Sequence, residues 1–151
     1  MQDMGHDQSP LWRQAAANSL HASFLLKAHI EEALQSELGL LLADNEAMLH
    51  LDHAESPPRM SDIAHRLILS PGGTTKVIDR LESMGYVVRK ADPTDRRATV
   101  VELTSAGREA MAQARKVIDT GLETHWAVHV TDEEAAVVLD VMKRVLGDHH
   151  A

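Results

Sequence analysis

The stretch from Ser61 to Leu103 most narrows what this chain can fold into. Ser61 is placed to cap a short helix carrying Ile63, Ala64 and Leu67. A tight link through Leu69 leads to Ser70-Pro71, a capping serine followed by proline at a first helical position. The next helix carries Val77, Ile78 and Leu81 on one stripe and stops at Gly85, a good residue just past a helix end. Two short helices joined by a tight turn match a helix-turn-helix, although any helical hairpin shares that spacing. The following residues decide between them. Tyr86–Lys90 and Ala98–Leu103 are β-prone, and the loop Ala91-Asp92-Pro93-Thr94-Asp95-Arg96-Arg97 between them is rich in turn formers. A hairpin directly after such a helix pair predicts a winged helix-turn-helix.

Helices flank this unit. From Ser9 to about Leu38 nothing breaks a helix: Ser9 can cap, Pro10 suits the first turn, and Leu26, Ile30, Ala33, Leu34 and Leu38 recur at helical spacing before Gly39. A helix that long points to a second packing partner such as another subunit. Asp44 or Asn45 is expected to cap a short helix from Glu46 to Ala54. Thr104 or Ser105 opens a long helix with Ala110, Met111, Ala114, Val117, Ile118 and Leu122 on one face. Thr131 and Glu134 form a capping box ahead of a last helix carrying Ala135, Val138, Leu139, Met142 and Leu146. The expected architecture is mainly α with a small β-hairpin wing. It divides into an N-terminal dimerisation helix (1–38), a DNA-binding domain (44–103) and C-terminal helices completing the dimerisation region (104–147).

Composition excludes several classes. The 151 residues suit one domain. With no cysteine there is no disulfide scaffold, thiol nucleophile or thiol redox sensor. No apolar run approaches the roughly 18 residues of a membrane span, and the N-terminus lacks a secretory signal pattern. A cytoplasmic protein without membrane contact is expected. The net charge of −8 argues against a nucleic-acid partner only as an average. Residues 59–116 hold eleven basic and seven acidic side chains, whereas the rest of the chain holds four basic and sixteen acidic. A basic middle between acidic ends suits one face turned toward a polyanion.

Three stretches resemble the MarR family of bacterial transcription regulators. Met60–Leu67 resembles the first helix of that family's helix-turn-helix, and Leu69–Glu82 its recognition helix. Asp92-Pro93-Thr94-Asp95-Arg96-Arg97, followed by Leu103-Thr104-Ser105-Ala106-Gly107-Arg108, resembles its wing and the helix after it. The resemblance implies a homodimer with interleaved terminal helices and two winged helices below. It implies sequence-specific binding to double-stranded DNA at a near-palindromic operator, commonly as a repressor, with release or modulation by a small ligand.

The recognition helix of such a module enters the major groove N-terminus first. Pro71, Gly72 and Gly73 allow close approach, and the exposed N–H groups of the first turn favour phosphate. Thr74, Thr75 and Lys76 are then the side chains expected at base edges or nearby phosphates. Arg80 is expected on the DNA backbone, and Ser70 serves as a cap that can also meet a phosphate. At the wing, the resemblance gives Arg97 the minor groove, with Asp95 orienting its guanidinium by a bidentate pair and Arg96 as a second contact.

No enzymatic constellation is present. Gly72-Gly73-Thr74-Thr75-Lys76 has the residue types of a phosphate loop but not its spacing. For an effector, Trp12 and Phe24 could line a cleft for a small aromatic ligand, although core or dimer contact suits them as well. No cofactor is required. His50 with His53, and His125 with His129, are spaced as zinc ligands could be, but the same histidines suit an ordinary surface. The alternatives are therefore a zinc-responsive regulator of the same fold, or a DNA-inactive winged-helix protein acting as antirepressor or scaffold.

Overall fold

A computed structural model describes residues 9–67 and 70–147. The expected link through Leu69 lies outside the described residues. In chain order the elements are α1 (Leu11–Leu38), α2 (Leu42–His53), α3 (Met60–Arg66), α4 (Pro71–Ser83), β1 (Val87–Ala91), β2 (Thr99–Leu103), α5 (Ser105–His125) and α6 (Asp132–Leu146). A single 3-10 turn, Ala127–His129, joins the last two helices.

Caps explain the helix boundaries, and some differ from the expected ones. Gly39 ends α1 at φ 66°, a left-handed conformation that glycine adopts without steric cost. Ser70 accepts from the Gly73 N–H, Thr104 from the Gly107 N–H and Thr131 from the Glu134 N–H, as the sequence predicts. The starts of α1, α2 and α3 shift. Helix α1 opens after Pro10, whose carbonyl receives the Arg13 and Gln14 N–H groups. Asp44 does not cap α2 but sits at its third position and accepts the Leu41 N–H at 2.8 Å, so α2 begins at Leu42 and not at Glu46. Asp62 does the same for Arg59 at 3.0 Å, which places Ser61 inside α3.

One core joins these elements. Leu34 of α1, Met48 and Leu51 of α2, Ile63 of α3, Val77, Ile78 and Leu81 of α4, Val87 and Val101 of the hairpin and Ala114 of α5 form a continuous buried cluster. Helix α2 lies at its centre, packed against α1, α3, α4, α5 and β2. The strands pair antiparallel, from Val87 opposite Leu103 to Ala91 opposite Thr99. The chain ahead of α3 adds a short third edge, where Arg59 bridges Val100 and the Val101 N–H donates to the Pro58 carbonyl.

The turn from β2 into α5 shows why Leu103-Thr104-x-x-Gly107 takes this form. The Thr104 N–H and hydroxyl both donate to the Tyr86 carbonyl, at 2.9 and 3.1 Å. That brings Tyr86 so close to α5 that a Cβ on Gly107 would stand 2.2 Å from the Tyr86 oxygen. Only glycine fits.

Two helices extend beyond this core. Of the 28 residues of α1 only Ile30 and Leu34 are buried, and none of α6 is. Leu20, Phe24 and Leu25 on α1, and Val137, Leu139 and Val145 on α6, are all more than half exposed.

Candidate nucleic-acid interface

Helix α4 presents its first turn outward. Ser70 and Gly72 are exposed, Gly73 is half-buried, and Thr75 and Lys76 are exposed on the side away from the core. Pro71 opens the helix at the position where its missing N–H costs nothing. With the Gly73 N–H already satisfied by Ser70, the N-terminal end carries a partial positive charge beside two glycines.

Two residues expected on DNA are placed elsewhere. Thr74 is 1% exposed, and its hydroxyl donates to the Ser70 carbonyl at 3.2 Å. It shares the buried stripe of Val77, Ile78 and Leu81, so it cannot reach a base edge. Arg80 turns toward α2: its Nε lies 3.0 and 2.9 Å from the two Asp44 carboxylate oxygens, and its Nη2 lies 2.5 Å from Oδ1. Asp44 is fully buried, so Arg80 is committed to neutralising it and not to the DNA backbone.

The wing is built on Asp92. This residue is 6% exposed, and its Oδ1 accepts from the Thr94 N–H and hydroxyl, both at 2.7 Å. Oδ2 receives the Arg59 guanidinium, with Nε at 2.7 Å and Nη2 at 2.6 Å. Hydrogen bonds from Thr94 and then from Arg59 lower the Asp92 carboxyl to about pKa 2. Asp95 departs from its expected role, because its carboxylate accepts the backbone N–H of Arg97 at 3.0 Å and so shapes the turn, not the guanidinium. Arg96 and Arg97 both stand exposed at the far end of this braced loop. Arg89 adds a second brace, reaching from β1 to Asp79 at 2.7 Å and to Glu82 on α4.

The bracing residues Arg59, Asp92 and Asp44 escaped the sequence reading. The Asp-Pro-x-Asp turn did signal an aspartate folding back on its own loop, but at position 92 and not at 95.

The histidines do not converge. His125 ends α5 and His129 lies in the 3-10 turn, because the helix breaks at Trp126 (φ −126°, ψ −57°) and removes the one-face spacing. His125 instead stacks on His29 of α1, ring centroids 4.2 Å apart. His50 and His53 share a cavity with Arg66, where the His50 Nε2 is buried without a partner. Burial, and secondarily Arg66, push the His50 pKa down. Among the described residues no three histidine or acidic side chains gather as a metal could require. Trp12 and Phe24 are 73% and 75% exposed, so neither belongs to the core of this chain.

An outward first turn on α4 beside a braced basic wing defines a winged helix-turn-helix protein of the DNA-binding class. A sequence profile of the MarR family matches residues 47–99. MhqR, an HTH-type transcriptional regulator of Bacillus subtilis, is 30% identical over 100 residues, 66% of this chain and 68% of that protein. YkoM, an uncharacterised HTH-type transcriptional regulator of the same organism, is 29% identical over 104 residues, 69% of this chain and 68% of that one. The fold is that of Sco3205, a MarR family regulator from Streptomyces coelicolor solved in complex with DNA (TM-score 0.78, 21% identity, 92% of this chain and 91% of that chain). It is likewise that of CouR from Rhodococcus jostii, solved with p-coumaroyl-CoA (TM-score 0.76, 19% identity, 93% and 97%). This chain belongs to the MarR family and is a DNA-binding transcription regulator. Among the described residues no helix is long and apolar enough to cross a membrane.

Proposed function

We propose that the protein is a cytoplasmic, non-enzymatic repressor that binds a near-palindromic operator as a homodimer and is modulated by a small ligand. The observation that carries the DNA reading is the exposed pair Thr75 and Lys76 on the first turns of α4, set beside Arg96 and Arg97 of the wing. Lysine can donate to guanine, the threonine methyl can meet thymine, and a wing arginine suits the negative potential of a narrow A·T-rich minor groove.

Dimerisation is supported by the two helices that the chain leaves uncovered. Helix α6 carries a polar face and an apolar face, yet buries none of the latter within the chain, and the N-terminal two turns of α1 do no better. Apolar surface of that extent on long helices is what a second copy would bury. Two copies then present two reading helices, whose half-sites lie about one DNA turn apart. The acidic ends of the sequence belong to these outer helices, so the net charge of −8 is compatible with a basic face on DNA.

For the effector, the support is that a protein of the same fold, CouR, was solved with an aromatic acyl-CoA. Such a ligand would release DNA only by binding the non-competent dimer more tightly. Gel shifts with the DNA upstream of the protein's own gene, combined with sedimentation, test the function. Binding by a dimer supports it. Failure on that DNA and on every duplex selected from a random pool favours the scaffold alternative.

A further inference from the structure

We propose that Arg80 and Asp44 are a positioning pair that sets the register of the recognition helix against α2, and that Arg80 acts on DNA only through that helix. The proposal rests on the DNA-binding reading and deepens it.

Arg80 stands one turn beyond Lys76 on α4, where a cation invites assignment to a phosphate. Its geometry argues otherwise. The guanidinium makes three contacts with the Asp44 carboxylate, and Asp44 Oδ2 also takes the Leu41 N–H at 2.8 Å. Both carboxylate oxygens are therefore filled by fixed donors, one set on α2 and one on α4. The Asp44 side chain has no exposure to water, and about a third of Arg80 is exposed. Moving Arg80 away would leave a buried, unpaired carboxylate, a costly state.

The rest of the α4 contact cannot provide that discrimination. Thr74, Val77, Ile78 and Leu81 bury the helix through apolar packing, which is non-directional and tolerates small rotations or slides. A fork of N–H donors on a carboxylate is directional. It singles out one rotation of α4, and with it the position of Thr75 and Lys76 relative to the groove. Since α2 also packs on α1 and α5, the pair ties the reading helix to the frame that fixes the spacing of the two half-sites. Sites that read a ligand need their side chains held to within about 0.5 Å, and a second rank of contacts holds them there.

The test compares wild type with Arg80→Gln, Arg80→Lys and Asp44→Asn. The probe is a duplex selected from a random-sequence pool by the wild-type dimer, titrated across salt. Backbone hydrogen exchange of α4 is measured in each protein without DNA. A positioning pair predicts that all three variants lose about tenfold or more in affinity, as buried ion pairs do when broken. The slope of log affinity against log salt stays at its wild-type value, and α4 amides exchange faster. A phosphate contact predicts the opposite pattern. Arg80→Lys then keeps affinity, Arg80→Gln lowers the salt slope by about one, and Asp44→Asn, by freeing Arg80, keeps or raises affinity. That pattern overturns the proposal, as does unchanged α4 exchange in every variant. Should Asp44→Asn fail to fold, Arg80→Lys decides the matter alone. A wild type that selects no duplex defeats the DNA reading, while the exchange measurement still tests the pair.

Discussion

Arg59 and Asp92 join the entry of α3 to the base of the wing, Nη2 to Oδ2 at 2.6 Å across 33 residues of sequence. The same aspartate holds Thr94 by its N–H and its hydroxyl. One side chain thus fixes the wing to the helix-turn-helix and also shapes the loop that carries Arg96 and Arg97.

Replacing that side chain should loosen the wing. Asp92→Ala is expected to speed amide exchange at residues 94–98 and to weaken DNA binding while leaving the helices intact. The pH dependence follows from the sign of the shift. The folded pKa of about 2 lies below the ordinary 3.8, so the stabilisation is fully present above pH 3.8 and fades as pH falls toward 2. Melting of wild type and Asp92→Ala should converge across that window. A stability difference that stays constant down to pH 2 contradicts this role.

Gly107→Ala should destabilise strongly, because the new Cβ would stand 2.2 Å from the Tyr86 oxygen and 2.7 Å from Leu103 Cδ1. Overpacking of this kind costs about 3 kcal/mol. Urea unfolding measures it, and a loss under about 0.5 kcal/mol, typical of an unremarkable surface change, shows that the turn yields freely.

His50 gives the protein a pH response near neutrality. Its pKa lies below the ordinary 6.5 through burial first and Arg66 second, with Asp62 opposing and His53 adding slightly. The neutral form is favoured on folding, so stability is greatest above pH 6.5 and declines as pH falls through the folded pKa. His50→Gln should remove this part of the decline. Parallel melting curves for the two proteins from pH 7.5 to 5 disprove it.

Val145 is 73% exposed on the apolar side of α6. Val145→Asp would force a charge into the proposed subunit contact and should shift the protein from dimer to monomer in sedimentation, by at least about tenfold in dissociation constant. A dimer of unchanged affinity places the subunit contact elsewhere.

Much of this was legible because local chemistry decides it. Ser70, Thr104 and Thr131 cap with their own side chains, and each could be read directly. The starts of α2 and α3 were misplaced because Asp44 and Asp62 act three residues into their motifs, holding the N–H of a residue with no capping chemistry. Thr74 was recoverable: positions 74, 77, 78 and 81 follow one helical stripe, and that phase buries Thr74 and exposes Thr75. The partners of Arg80 and Arg59 were not recoverable. They lie 36 and 33 residues away, and a single sequence carries no signal that joins them.

The central claim is that the first turn of α4 and the wing read DNA together from a dimer. Titrating wild type and Arg97→Ala onto a selected near-palindromic duplex at several salt concentrations tests it most directly. The account predicts affinity that falls steeply with salt, and a variant that binds more weakly with a slope reduced by about one or less. Equal affinities and equal slopes for the two proteins would contradict it.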